Sequence, residues 1–436
     1  MTNMIREHAT SIFNAAVDAV QPSRLMQQHV QLYDGTLTVC GKTFSLPAGR
    51  PVWIFGAGKA AAAMAQALEP ILSHVPVQGI VITKYEHALP LQHIRVAEAG
   101  HPLPDENGVQ ATAQMVTQLK AVQPGDVVLF LLSGGASALL ADYPAGASLT
   151  QVQQVFELLL KSGADIHEMN VVRKHLSSVK GGQLALLADT DAWGSLILSD
   201  VVGDDLSIIG SGPTVPDPST FSEAVAILDK YHLTAKLPAA IHAHVRRGCA
   251  GDVPETPKPG LPGLKHVHNF LIGSNAIALE AAARKAISLG YATAILTSTA
   301  TGQASTVAAE LVTAAKDWKG LRPACILMGG ESTVTVTGNG LGGRNQHLAL
   351  AAGLLLAKQT GITVLSAGSD GTDGPTDAAG AVTDQELMLS AAVQGLDAAH
   401  YLTQHDAYHF FEKAGGLIKT GPTQTNVMDI MLAIIS

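Results

Sequence analysis

Along most of the chain, apolar residues come in short blocks followed by longer stretches with helical spacing. VWIFGAG (52–58) runs into an alanine-rich stretch whose periodicity predicts a helix over 59–72. The same order recurs at GIVITK (79–84), IRVAEAG (94–100), DVVLFLLSGGASALL (126–140) and GSLILSDVVGDD (194–205). Short apolar blocks read as buried strands, and strands alternating with helices predict a parallel sheet. HPLPDENG (101–108) is a turn and helix start with Asp105 as the expected N-cap. EMNVVRKHLSSVKGGQLALLA (168–188) predicts a helix broken at Gly181-Gly182. Near the start, Ile5, Ile12, Phe13, Ala16, Val17 and Val20 recur at helical spacing, with Arg6, Glu7 and Asp18 between them. That is an amphipathic helix.

CAGDVPETPKPGLPGLK (249–265) is dense in Pro and Gly and is the expected linker. The pattern then restarts. NFLIGS (269–274) leads into a helix over 275–289, and ATAILTS (292–298) into one over 303–316. CILMGGESTVTV (325–336) precedes the turn NGLGGRNQ (339–346) and another helix, and a strand with a long loop follows over 362–382. The expectation is an α/β protein of two lobes, 1–248 and 266–436, joined by 249–265.

Composition narrows the function classes. A chain of 436 residues with 47% hydrophobic and 14% charged residues has ample material for two cores. A net charge of −9 without a long basic run argues against nucleic acid or an anionic membrane as partner. No apolar segment reaches the ~18 residues of a membrane span. Cys40, Cys249 and Cys325 are scattered, and no signal peptide precedes the first helix, so a reducing, cytoplasmic setting is expected. The histidines show neither HExxH nor Cys/His zinc spacing, and no G-x-S-x-G elbow is present.

Several strand ends carry unusual chemistry. Gly56-Ala57-Gly58-Lys59-Ala60-Ala61 has the outline of a dinucleotide-binding turn. NAD binding would require an acid at the end of the next strand, but GIVITK ends in Lys84, with Glu86 two residues later. A lysine beside a helix N-terminus suits a phosphate or carboxylate, although close packing alone also accounts for the glycines. Ser133-Gly134-Gly135-Ala136-Ser137 offers small residues and two hydroxyls to an anion, and no lysine follows as in a Walker A loop. Arg173, Ser177 and Lys180 share one helical flank. Gly342-Gly343-Arg344 places a second cation on a glycine turn, against the macrodipole unless an anion is shared. Ser369-Asp370-Gly371-Thr372-Asp373-Gly374 clusters acids but lacks the position-12 glutamate of a calcium loop, so magnesium with a substrate phosphate fits better. Asp200, with Asp204 and Asp205, ends a first-lobe strand similarly.

Together GAGKAA (56–61), GHPLPDENG (100–108), LLSGGASALL (131–140), MNVVRKHLSSVKGGQLA (169–185), LSDVVGDDLSIIGSGPT (198–214), GGESTVT (329–335), GLGGRNQHLAL (340–350) and SAGSDGTDGPTDAAGA (366–381) resemble the glycerate 2-kinases that end in a MOFRL domain, here about 321–432. The stretches run in family order over nearly the whole chain. The resemblance implies a Rossmann-like N-terminal domain, a C-terminal α/β lobe containing the MOFRL domain, and an active-site cleft between them. It also implies ATP- and Mg2+-dependent phosphorylation of D-glycerate to 2-phosphoglycerate. Lys59 and Arg344 are then the essential cations, and Asp200 and Asp370 the acidic active-site residues. Some members carry the label hydroxypyruvate reductase.

In the expected scheme Lys59 and Arg344 approach the reacting phosphate on the turns shaped by Gly56, Gly58, Gly342 and Gly343. Asp370 holds Mg2+, with Glu331 or Asp373. Asp200 orients or deprotonates the C2 hydroxyl. The Ser133–Ser137 loop, with Gly134 and Gly135 and either Arg173 or Lys180, takes the substrate carboxylate. The rivals are an NAD(P)H-dependent hydroxypyruvate reductase and a non-catalytic ligand-binding protein. A homodimer is compatible with the sequence.

Overall fold

The first lobe's apolar blocks become strands of one sheet. The computed structural model describes residues 2–436, which divide into two units. The N-terminal unit comprises Leu25–Ser199 and Asp204–Ile272. It opens with a small antiparallel sheet, β1 (Val30–Tyr33), β2 (Thr36–Val39) and β3 (Lys42–Ser45). Its main sheet contains β4 (Val52–Ala57), β5 (Val77–Lys84), β6 (Arg95–Ala99), β7 (Val127–Ser133), β8 (Ala192–Leu198) and β9 (Val267–Gly273), in the order β6-β5-β4-β7-β8-β9. The pairings from β6 across to β8 are all parallel, as expected. Every residue of β7 is buried, as in a strand covered on both faces. The strand order is that of a Rossmann sheet, whose direction of winding reverses between β4 and β7.

The C-terminal unit comprises the segment up to Arg24, Asp200–Gly203 and Gly273–Ser436. Its strands are β10 (Ala292–Gln303), β11 (Ala324–Thr333), β12 (Ile362–Gly368), β13 (Gly380–Asp384), β14 (Leu417–Ile418) and β15 (Asp429–Ile435). They lie in the order β10-β11-β15-β12-β13-β14. Among the described residues β10–β11 pair in parallel, and β11–β15, β15–β12, β12–β13 and β13–β14 pair antiparallel. The final strand, wholly buried, enters between β11 and β12 and makes this sheet mixed.

Three expectations shift. The linker boundary at 249–265 does not coincide with the division between units, because that segment stays with the N-terminal unit. The amphipathic helix Thr2–Ala19 belongs with the C-terminal unit, where it packs on the helix Asn275–Ser288 and buries Ile12, Phe13 and Ala16 completely. A bidentate pair from Arg6 to Asp384, both contacts 2.6 Å, anchors it. The helix expected over 168–188 runs only from Ile166 to His175. Beyond it, Ser177 and Ser178 donate to the Asp142 carboxylate, and the Gly181 and Gly182 amides donate to the Ser211 and Gly212 carbonyls. These partners replace the helical ones. Asp105 does cap its helix, accepting from the Gly108 amide at 2.9 Å. Among the described residues no helix is long and apolar enough to cross a membrane.

Candidate active site

In the N-terminal unit the expected residues gather at the carboxyl ends of β4, β5 and β7. Gly58 has φ +135°, and a Cβ there would lie 2.1 Å from the Ser133 hydroxyl, so only glycine lets the two loops meet. The Lys59 amide donates to the Gly134 carbonyl at 2.9 Å, and the Ala60 amide to the Ser133 hydroxyl at 3.0 Å. The Lys59 and Ala60 amides are thus engaged in holding the SGGAS loop. Gly135 lies under two side chains, His101 and Lys59, whose nearest atoms fall 3.0 and 3.3 Å from where its Cβ would be. His87 donates Nδ1–H to the Lys59 carbonyl at 3.3 Å.

This corner is electropositive. The His101 imidazole is pushed down to about 4, first by burial and then by the charges of Lys59, Lys84 and His87. Lys84 occupies the strand end where a ribose-binding acid would stand in a dinucleotide site, and it adds to the positive field.

Behind the SGGAS loop a chain of hydrogen bonds joins Ser137, Ser211, Asn170 and Arg173. The links are 2.8 Å from Ser137 to Ser211, 2.8 Å from Ser211 to Asn170 and 3.1 Å from Arg173 to Asn170. The Arg173 guanidinium stacks 4.9 Å above the Phe156 ring, and burial pushes its pKa down to about 10. Lys180 is engaged differently. It is buried, donates to the Leu140 carbonyl and lies 3.6 Å from Asp142. Of the two candidates for a substrate carboxylate, Arg173 is thus the one held by a neutral partner.

In the C-terminal unit Glu331, Gly342, Gly343, Arg344, Asp370 and Asp373 all line one cavity of about 790 Å³. Arg344 begins the helix Arg344–Leu356 and makes a bidentate pair with Asp429, at 2.7 and 3.0 Å. Its third nitrogen lies 2.9 Å from Glu331. Burial lowers the Arg344 pKa, but the bond to Asp429 and the charges of Asp429, Glu331 and Asp373 outweigh it and hold the guanidinium firmly protonated. Gly343 has no room for a Cβ, which would lie 2.2 Å from an Asp373 oxygen. Asp373 uses that space to cap the helix, accepting from the Asn345 and Gln346 amides at 3.0 and 2.8 Å. Burial pushes its carboxyl up to about 6.

The expected metal ligands therefore hold different posts. Asp373 serves the helix N-terminus, Glu331 faces Arg344, and Asp370 accepts from the Thr372 amide at 3.1 Å on the cavity wall. Among the described residues no three His, Cys, Asp or Glu side chains converge as a ready-made metal site. Asp200 falls in the short segment Asp200–Gly203 that belongs with the C-terminal unit, and Val202 of that segment lines the cavity. Asp429 was not anticipated. It is fully buried at the start of β15, and an acid opening an otherwise apolar strand was the available signal that a buried cation must face it.

A Rossmann-ordered unit with a cationic switch point and a mixed α/β unit with an arginine-and-acid cavity define a two-unit protein equipped to handle anions, phosphates above all. Residues 8–246 match the family described as a domain of unknown function, DUF4147, and residues 324–429 match the MOFRL family. The chain is 40% identical to the glycerate 2-kinase of Pyrococcus horikoshii over 99% of its own length and 98% of the relative's. It is also 40% identical to an Agrobacterium vitis protein that carries the name hydroxypyruvate reductase, over 99% of this chain and 94% of that one. The crystal structure of glycerate kinase from Thermotoga maritima superposes with a TM-score of 0.88 at 36% identity, covering 100% of both chains. The chain belongs to the glycerate 2-kinase family, in which a DUF4147 domain precedes a MOFRL domain.

Proposed function

We propose that this chain is a glycerate 2-kinase that transfers the terminal phosphoryl group of ATP to the C2 hydroxyl of D-glycerate, in the cytoplasm. The observation that carries this reading is the positively charged corner of Lys59 and Lys84, with the His87 and His101 rings beside them, at a Rossmann switch point, with a lysine where a dinucleotide site needs an acid. Phosphoryl transfer asks mainly for positioning and charge neutralisation. Lys59, on the glycine turn of the N-terminal unit, and Arg344, on that of the C-terminal unit, are the cations that neutralise phosphate charge. The C2 oxygen attacks the γ-phosphorus, the bond to the β-phosphate oxygen breaks, and Asp200 takes the hydroxyl proton. Arg173, with Ser137, receives the glycerate carboxylate.

Asp370 and Glu331 are the hard oxygen donors that fit Mg2+, which usually takes one or two carboxylates together with phosphate oxygens. Bound there, the ion would neutralise phosphate charge. Glu331 is 44% exposed at its side chain and can exchange Arg344 for the ion, whereas Asp373 keeps to its helix.

The rival reductase reading follows from the name of the Agrobacterium vitis relative. The two are separated by assaying the full chain in parallel. One arm measures ADP release that depends on D-glycerate, and the other NADH absorbance with hydroxypyruvate. Glycerate-dependent ADP with unchanged NADH is expected. NADH consumption without ADP would sink the kinase reading.

A further inference from the structure

The cavity in the C-terminal unit is far larger than glycerate needs. Its volume of about 790 Å³ lies in the range of sites that take drug-sized ligands, whereas a three-carbon acid fills only a small part of such a space. Its lining also changes character from one part to another. One part is the glycine turn with Arg344 and the helix N-terminus, suited to phosphate. The other is neutral, aromatic and polar.

His347 follows Arg344 by three positions on the same helix, so the two side chains share a face. Its ring stacks on that of His405 at 5.2 Å between centroids and an interplanar angle of 18°. Burial pushes the His347 imidazole down to about 4, so it is uncharged at neutral pH. His347 Nε2 shares a hydrogen bond with the Ser305 hydroxyl, and His405 Nε2 with the Thr337 hydroxyl, both at 3.1 Å. The remaining Nδ1 atom of each ring is buried without a partner, and so is the Ser332 hydroxyl. His347 and Ser332 are only 9% and 1% exposed, and both line the cavity, as does His405. Unmet buried polar groups cost stability unless a ligand satisfies them.

We propose that the nucleoside part of the phosphate donor lies in this cavity, its base against the His405 ring and its polar groups meeting His347 and Ser332. The inference rests on the kinase reading and adds to it where the donor's non-reacting part is held. The chemistry matches: a nucleoside offers an aromatic face, ribose hydroxyls and ring nitrogens, and carries no charge of its own. A small carboxylate such as glycerate has hydroxyls but no aromatic face to lay against these rings.

The test uses the full chain and two probes, ADP and inorganic tripolyphosphate, titrated calorimetrically into wild type, His405→Asn and Ser332→Ala. Asparagine is chosen because His405 has φ +55°, a conformation that asparagine tolerates better than most residues. In His405→Asn, ADP affinity is expected to fall at least tenfold while tripolyphosphate affinity stays within twofold. KM for ATP should rise in step, with KM for D-glycerate unchanged. Ser332→Ala should lower ADP affinity by a smaller factor in the same selective way. Unchanged ADP affinity, an equal loss for both probes, or a wild-type chain that does not bind ADP overturns the inference. Failure of the kinase reading is visible separately, as wild type making no phosphorylated glycerate whatever its ADP affinity.

Discussion

Lys59 follows Gly58 just beyond β4, and Arg344 follows Gly343 at the start of a helix; in the sequence both look like the same device. Around Lys59 the neighbours are cationic or imidazole groups, Lys84, His87 and His101. Around Arg344 they are carboxylates, with Asp429 bound twice and Glu331 once. A field of like charges favours an incoming anion but contributes little to holding the fold. A cation locked onto a buried acid is positioned in advance, but its charge is largely balanced before a substrate arrives. The two turns therefore differ in kind: Lys59 stands in positively charged surroundings, and Arg344 is a fixed, hydrogen-bonded guanidinium.

The largest expected effects are on rate. Lys59→Ala and Arg344→Ala should each lower turnover by roughly 10³, by analogy with the cations of other phosphoryl-transfer sites. Denaturant unfolding should then separate them. Lys59→Ala is expected to change stability by no more than about 0.5 kcal/mol. Arg344→Ala should cost about 3 kcal/mol, because the buried Asp429 loses its cationic partner and keeps only the hydrogen bond from Asn345. Equal stability losses in the two variants would dissolve the contrast.

A smaller effect tests the partnership itself. Replacing Asp429 by Asn in the Arg344→Ala background should recover part of the lost stability, with a coupling of about 0.5–3 kcal/mol. Additive losses would mean that Arg344 and Asp429 are not energetically coupled.

The smallest effect is in pH dependence, where the two units pull in opposite directions. His101 has an ordinary value of 6.5 and is pushed down to about 4 in the fold. The unfolded chain therefore takes up the proton first as pH falls, and stability present above 6.5 is lost progressively toward 4. Asp373 is raised from 3.8 to about 6, so it favours the fold at low pH and withdraws that contribution as pH rises through 6. Urea midpoints followed between these limits should fall less on acidification in His101→Gln than in wild type, and more in Asp373→Asn. The reverse ordering would contradict the assigned environments.

Much of this was legible in the sequence where local chemistry dictates structure. GAGKAA and LLSGGASALL meet at a strand-order switch because Gly58 leaves room for the Ser133 side chain, and Asp105 caps its helix through a side chain that can reach the Gly108 amide. What depends on distant partners was not legible. DIMLAII has no alternation to reveal which strands it will join, so β15, its antiparallel pairings and Asp429 were all missed. The periodicity of the first helix shows an apolar face but not which core receives it. The segment after His175 has helical composition, yet the Asp142 carboxylate and the Ser211 carbonyl, far away in sequence, take its donors. The same limit holds for Asp373, which reads as a metal ligand until the helix amides it serves are seen.

The central claim is the transfer of phosphate to glycerate, and phosphorus NMR of one reaction tests it most directly. The full chain is incubated with ATP, Mg2+ and D-glycerate, and the products are followed over time. The account predicts that ADP and 2-phosphoglycerate appear together in equal amounts, and that neither forms when glycerate is omitted. A spectrum showing 3-phosphoglycerate instead, or no phosphorylated acid at all, would contradict it.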